Sequence, residues 1–535
     1  GRTPHKSDYR GAAMKKIELL DTTLRDGAQG AGISFSPQDK LNIVSALDKL
    51  GVHIIEAGNP ASSESEQEFF RRLKDLPINA SISAFGSTRH KNSSASSDEG
   101  LIKLLSVQTE YVSIFGKSNA EDVRSVLGAS LEENLRMIYE SVDLLVRQGR
   151  KVIFDAEHFF DGYNEDKEYA LAAITAAHEA GARTICLCDT NGGRLPGEIY
   201  DIISQLKSKG FELGMHAHDD IGCGVANTLS AVQAGAVHVQ GTLLGMGERC
   251  GNANLSAIIP TLMLKLGLDC IPPQKLCLLT KQARTVAEIS NVVLPANLPY
   301  IGKMAFAHKA GMHIDALSKR PGAFEHIQPE AVGNKRRILL SELSGRSAVI
   351  KKLSAIAPEL TKDAQITSAL TERLKELEAE GYQFEGADAS FELLVQRELG
   401  NLSEYFKLEQ FKVIEEQVTG KTRTASSAML KLSVGNQSEL TAAEGNGPVD
   451  ALDEALRKAL ERFYPAIIDM HLVDYKVRVL DSKSATGARV RVLIESSDGK
   501  NYWVTVGVSS DIIEASAIAL VESMVYKLYK DEKES

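Results

Sequence analysis

Between Ile17 and Glu248, short β-like runs alternate eight times with amphipathic stretches, and few folds accommodate that pattern. The runs are IELLDTTLRDG, HIIEAGNP, ASISAFG, YVSIFGK, KVIFDAEHFF, TICLCDTNGG, LGMHAHDD and VHVQGTLLGMGE. Segments such as SPQDKLNIVSALDKLG and NLRMIYESVDLLVRQG separate them. Strands alternating with helices predict a parallel sheet. Eight such units in about 250 residues match the size of a (β/α)₈ TIM barrel. A doubly wound open sheet would not usually need eight units, and no G-x-G-x-x-G follows a strand.

The chain has 535 residues, more than one compact domain usually holds. Patterning divides it further. Residues 1–13 show no periodicity and read as a leader or remnant outside the fold. The barrel is expected over 14–270. From 271 to 385 the alternation stops, and IPPQ, LPANLPY and the charged ITSALTERLKELEAEG suggest helical connector subdomains. Residues 386–535 hold AMLKLSVG then GPVDALDEALRKALERFY, and GARVRVLIESS then NYWVTVGVSSDIIEASAIALVESMVYKL. The two halves read as repeated strand–strand–helix units of an α+β regulatory domain. A net charge of −10, with no basic run longer than Lys335–Arg337, argues against nucleic acid as the main partner. No run has the length of a membrane span. The six cysteines read as buried thiols of a reducing cytoplasm rather than a disulfide framework.

Most strand candidates end in polar groups: Arg25-Asp26, Glu56, Glu157, Asp189-Thr190, His216-Ala-His218 and Glu248. In a barrel these ends share one mouth, where active sites sit. His216 and His218 stand two apart on a strand, so both imidazoles point the same way and suit Zn, Mn, Fe or Co. Asp26 could supply an anionic ligand once the barrel closes, and Asn252 in GERCGNAN an amide oxygen. The positions left open could take the carbonyl and carboxylate of a 2-oxo acid, with the ion as Lewis acid. Arg25 is suited to an oxyanion forming on that carbonyl, or alternatively to a rim salt bridge. Thr190 could bond a substrate carboxylate. Glu157, His308 and His313 are candidates for proton transfer, and Asp189 could equally be a structural acid.

DTTLRDGAQGAGISFS, FDAEHFFDGY, CDTNGG, HAHDD, GERCGNANL, FAHKAGMHIDAL, EHIQPEAVGNKRR and SELSGRS resemble the acetyl-CoA-dependent 2-oxo acid acyltransferases. These are the isopropylmalate, homocitrate and citramalate synthases. GISFS and the tail from YKVRVLDSK to WVTVGVSSDIIEAS resemble the citramalate branch most. The resemblance implies a metal-dependent Claisen-type condensation of acetyl-CoA with a small 2-oxo acid, pyruvate for that branch. It implies Asp26, His216, His218 and Asn252 as ligands of a divalent ion (Zn, Mn or Mg) and Arg25 as the group polarising the carbonyl. Thr190 would anchor the carboxylate. Glu157 would be an active-site acid, and His313 would help deprotonate acetyl-CoA from the partner subunit's connector. Gln29 and Glu56 fall in matching substrate-binding segments. A homodimer is implied too, with a LeuA-type dimerisation domain that binds an end-product amino acid, isoleucine for the citramalate branch.

Three positions depart from that branch. Asn59 and Asn119 stand in mouth loops where it has tryptophan, and Phe324 where it has tyrosine. Amides there could admit a larger or more polar substrate, or neighbours could compensate. An isopropylmalate-type synthase, a carbon–carbon lyase on a related barrel and a catalytically weak metabolite sensor are the rival readings.

Overall fold

In a computed structural model, eight parallel strands close into a barrel. They are β1 (Glu18–Asp21), β2 (Ile54–Gly58), β3 (Ser81–Ser87), β4 (Tyr111–Lys117), β5 (Lys151–Glu157), β6 (Thr184–Asp189), β7 (Leu213–Ala217) and β8 (His238–Gly241). The first strand pairs with both β2 and β8, so no edge remains. The structure describes residues 16–308, 320, 322–338, 353, 364–384, 386–416, 425–480 and 488–534. The expected leader and His313 lie outside them.

The connecting helices are α1 (Pro37–Leu50), α2 (Glu64–Leu73), α3 (Glu99–Ser106), α4 (Leu131–Arg147), α5 (Lys167–Glu179), α6 (Pro196–Lys207), α7 (Gly224–Ala234) and α8 (Leu255–Leu264). Local chemistry sets their ends. Ser36 and Asp39 form a capping box with Pro37 in the first turn, and Gly51 closes α1 in the left-handed region at φ 92°.

Strand parity sorts the barrel into two cores. Leu19, Ile55, Ala84, Val112, Phe154, Ile185, Met215 and Val239 point outward into the main core with the helices. Their neighbours Leu20, Ile54, Tyr111, Ile153 and Cys186 form a separate small cluster inside the ring. Both faces are thus buried, so these strands show little polar alternation.

Toward the mouth the next inward positions are polar. At the floor, Glu18 binds His238 at 3.1 Å and Arg183 at 3.0 Å, and Arg183 donates to the Tyr111 hydroxyl at 2.8 Å. Burial alone would raise the Glu18 pKa, but His238 and Arg183 pull it down to about 2. A depressed carboxyl contributes stability that is present above its ordinary value of 4.5 and is lost as pH falls toward 2. Glu18→Gln is therefore expected to destabilise the fold at pH 7 by on the order of 2 kcal/mol, after discounting for solvent screening. It should also flatten the loss of stability between pH 4.5 and 2. Urea midpoints measured across pH 3–7 would check this; parallel pH curves for the two proteins would refute it. A 580 Å³ cavity also opens at this end, lined by His53, Asp48 and Lys275 among others, and shares no residue with the mouth.

The compact unit built on the barrel runs past the change of patterning at residue 270. It takes in α9 (Leu279–Ile289), which packs on α1, and continues to Phe306 and through Glu325–Arg336. The second unit holds two short parallel strands, β9 (Ala307–His308) and β10 (Arg337–Ile338). Among the described residues α10 (Ala364–Glu380) and α11 (Asp388–Glu398) follow. After them come β11 (Lys407–Glu416), β12 (Ala425–Val434), β13 (Gln437–Gly445) and α12 (Pro448–Leu460). β14 (His471–Val479), β15 (Val490–Ser497), β16 (Tyr502–Ser509) and α13 (Ile512–Glu534) repeat that order. Each repeat is thus an antiparallel three-stranded sheet with a helix, one strand more than the patterning suggested. The polar, exposed Gln437–Gly445 hid one strand, because only its inner face is covered. Leu430, Leu432, Leu452 and Leu456 of the first repeat share a core with Val492, Ile494, Trp503 and Leu520 of the second.

All six cysteines are free. Cys186, Cys188 and Cys270 are buried, but Cys250 and Cys277 are exposed and Cys223 is intermediate, which corrects the expectation of buried thiols throughout. No described helix is long and apolar enough to cross a membrane.

Candidate active site

After β1 the backbone turns sharply: the N–H groups of Arg25, Asp26 and Gly27 all donate to the Thr22 carbonyl. That turn sets Asp26 against the end of β7. Its Oδ2 lies 3.2 Å from His216 Nε2 and 4.0 Å from His218 Nε2. The loop after β8 brings Asn252 to the same place, because its backbone bridges His218. Gly251 makes the bend possible. It sits at φ 91°, and a Cβ there would come 1.9 Å from the Gly245 carbonyl oxygen. Asn252 Nδ2 donates to the Met246 carbonyl at 3.1 Å. Its Oδ1 is buried and has no hydrogen-bond partner among the described residues.

These donors fit a divalent cation. Ligand atoms of Asp26, His216 and His218 lie within 4.8 Å of one another, and all three residues are buried. An octahedral ion with bonds of about 2.1 Å spaces its donors about 3 Å (cis) or 4.2 Å (trans) apart, close to the two distances from Asp26. Two imidazoles, a carboxylate and an unpartnered amide oxygen form a mixed set open to Zn or Mn. Burial would raise the Asp26 pKa, yet Arg25 and His216 hold it well below the usual carboxylate range. Burial and the neighbouring His216 lower His218 to about 4, so it is neutral at pH 7 and one ring nitrogen has a lone pair to offer. Asp155, Cys186 and Cys188 also lie within 4.8 Å of one another, deeper in the ring. Burial pushes the Cys186 thiol well up, which suits a packed thiol better than a ligand.

Arg25 is held on three sides. Its Nε donates to Glu56 Oε2 at 2.6 Å, its Nη1 lies 3.3 Å from Asp26, and its guanidinium lies 3.9 Å over the Phe85 ring. Phe85 stacks on Phe115 at 5.6 Å and 18°. Burial opposes the charge, but Glu56, Asp26 and Asp155 keep Arg25 protonated. Glu56 is itself fully buried.

The remaining expected residues stand around this cluster. Glu157 ion-pairs with Lys117 at 2.7 Å. Thr190 Oγ1 accepts from the backbone N–H of His158 at 2.8 Å, so its hydroxyl proton remains to donate. His158 adopts a left-handed φ of 56°, uncommon outside glycine. Gln29 lies exposed in the short turn after Arg25. Asp189 accepts from the backbone N–H groups of Gly193 and Arg194 and from Asn227, the structural alternative. His308 belongs to the second unit, paired in β9.

Asn59 and Asn119 do not open their amides freely to the mouth. Asn59 Oδ1 accepts from Ala61 N–H, and Asn119 caps the turn at Glu121 and Asp122 while donating to Glu165. Phe324 is half-exposed in the second unit.

Sequence reasoning missed Phe85, Phe115, Asp155, Gln240 and Arg249. Arg249 ties three loops together, donating to the Thr190 carbonyl at 2.6 Å and to Asp220 at 2.8 and 2.9 Å.

The HMGL-like family pattern matches residues 16–286, the homocitrate synthase post-HMGL domain-like pattern 300–382, and the LeuA allosteric (dimerisation) domain 385–528. An (R)-citramalate synthase of Aquifex aeolicus is 50% identical over 97% of this chain and 99% of its own length. One from Synechocystis is 48% identical over 96% and 97%. A probable 2-isopropylmalate synthase of Methanopyrus kandleri is 32% identical over 95% and 98%.

Proposed function

The chain belongs to the (R)-citramalate synthases, within the HMGL-like family, and on that premise we propose that it condenses acetyl-CoA with pyruvate to give citramalate and free CoA. One observation supports this above the rest: Asp26, His216, His218 and Asn252 meet beside a fixed Arg25 at one barrel mouth. When bound by those four residues, a divalent ion (Zn, Mn or Mg) supplies Lewis-acid polarisation of the 2-oxo carbonyl.

Arg25 offers its guanidinium to the oxygen that becomes negative as the new carbon–carbon bond forms. Thr190 donates its hydroxyl proton to the pyruvate carboxylate. Glu157, with His313 from the partner subunit's connector, removes a methyl proton from acetyl-CoA. The enolate carbon attacks the carbonyl carbon, and water then cleaves the thioester, releasing CoA thiol. Gln29 and Glu56 complete the substrate surround, Glu56 through its hold on Arg25. Residues 386–535 act as a regulatory dimerisation domain that takes an amino acid, isoleucine by the branch, in a cytoplasmic homodimer.

Phe85 and Phe115 form the apolar surface beside Arg25 and are well placed to bound the methyl group of pyruvate. A pocket contact per methylene is worth about 1–3 kcal/mol, or roughly 10- to 200-fold in discrimination. Phe85→Ala is accordingly expected to move the 2-oxobutyrate-to-pyruvate ratio of kcat/KM upward by about 10-fold. An unchanged ratio would separate this surface from selectivity.

The test of the reaction is free-thiol release from acetyl-CoA with Mn²⁺ and a panel of glyoxylate, pyruvate, 2-oxobutyrate, 2-oxoisovalerate and 2-oxoglutarate. Fastest release with pyruvate is the expected result. Fastest release with 2-oxoisovalerate would move the chain to the isopropylmalate reaction, toward which the Methanopyrus relative points. No release with any acid, from protein that binds Mn²⁺, would overturn the synthase reading.

A further inference from the structure

Behind His216 a short chain of hydrogen bonds runs into the barrel. Gln240 Nε2 donates to Asp155 Oδ1 at 2.8 Å, and Gln240 Oε1 lies 3.0 Å from His216 Nδ1. All three residues are buried, with Gln240 wholly inaccessible. Parity places them there: Asp155, His216 and Gln240 are inward positions of β5, β7 and β8.

Each link dictates the next. Burial raises the Asp155 carboxyl to about 6, which leaves it ionised at pH 7; an ionised carboxylate only accepts, so the Gln240 amide turns its NH₂ toward Asp155. Its carbonyl oxygen then faces the imidazole, and a carbonyl also only accepts. His216 Nδ1 must therefore carry the proton. In the neutral ring this leaves the lone pair on Nε2, the atom that faces Asp26 Oδ2. Reversing the amide would reverse the ring: Nδ1 would accept, and an N–H would point at the cation. The second histidine has no such device, since His218 Nδ1 finds no partner among the described residues.

We propose that Gln240 is a positioning residue that, oriented by Asp155, fixes His216 in the Nδ1–H tautomer and so presents Nε2 to the divalent cation. The proposal rests on the metal site of the preceding section. His216 is then the pre-set ligand. Outer contacts of this kind govern metal affinity by about 10- to 100-fold. The barrel interior below the site also gains a purpose: its polar residues carry an orientation from β5 through β8 to β7.

The test is Mn²⁺ binding by the full-length protein stripped of metal, with free ion followed by electron paramagnetic resonance and thermal melting recorded in parallel. Gln240→Met, near-isosteric and unable to accept, is expected to weaken binding about 10- to 100-fold. Gln240→Glu combined with Asp155→Asn exchanges carboxylate and amide while keeping every donor facing an acceptor. That double variant is expected to bind within about threefold of wild type. A purely structural role predicts no such rescue. The relay is overturned if Gln240→Met binds Mn²⁺ as wild type does, or if the double variant binds as weakly as Gln240→Met. Wild-type protein that binds no ion, or binds it equally as His216→Ala, would overturn the metal site itself and the relay with it.

Discussion

Arg25→Lys is expected to lower kcat by about 10²- to 10³-fold in the thiol-release assay, the scale seen when one preorganised oxyanion donor is lost. Lysine keeps the charge and loses the geometry. The arginine is gripped at Nε by Glu56 at 2.6 Å, approaches Asp26 at 3.3 Å and lies flat over Phe85 at 3.9 Å. An ammonium has no planar face for that ring and no second arm for the carbonyl. It would settle between Glu56 and Asp26, drawn by two anions, and withdraw from the reacting oxygen. Because the contact strengthens as charge develops, the loss should fall on kcat more than on KM. A variant with kcat intact and only KM raised would assign Arg25 to ground-state binding instead.

The second large effect concerns the anion of the site. Asp26→Asn preserves shape and removes one negative charge from a pocket shared with Arg25, His216 and His218. Divalent-ion affinity is expected to fall at least about 100-fold, beyond the 10- to 100-fold range of an outer contact such as Gln240. Thiol release should drop to background at micromolar Mn²⁺ and return in part at millimolar Mn²⁺. Without metal the variant also leaves Arg25 and His216 short of the carboxylate that offsets their burial, so its metal-free form should melt below wild type. Isothermal titration and melting curves with and without chelator check both parts. Unchanged affinity would remove Asp26 from the ligand set.

Much of this was legible in the sequence, and the reason is geometric. Eight alternations predict the barrel, and barrel closure with the turn after β1 brings Asp26 to His216 of β7 and to His218 just beyond it. Residues at strand ends could be found because they end a run. Residues inside a strand could not. Asp155 and Gln240 sit within runs buried on both faces, where no polar alternation marks which side points inward. Parity counted back from a known inward residue would have found them: Asp155 is two from Glu157, and Gln240 lies on the strand between those bearing His216 and Asp26. The loop amides had two readings, altered substrate surface or drift with compensating neighbours. What the sequence could not show is that Asn59 Oδ1 and Asn119 Oδ1 cap their own turns. The extra strand of the first C-terminal repeat, Gln437–Gly445, escaped because an edge strand with one exposed face carries few apolar residues.

Closure of the ring has a consequence for how such a chain comes into being. The carboxylate of the site is made at the start of the barrel's sequence, and the imidazoles and the amide near its end. During synthesis the nascent chain therefore carries Asp26 alone until β7, β8 and the loop beyond them have emerged and docked against β1. On the proposed ligand set, an ion would be captured only after that docking, because only the completed circle of strands, with β1 paired to β8, brings first and last together.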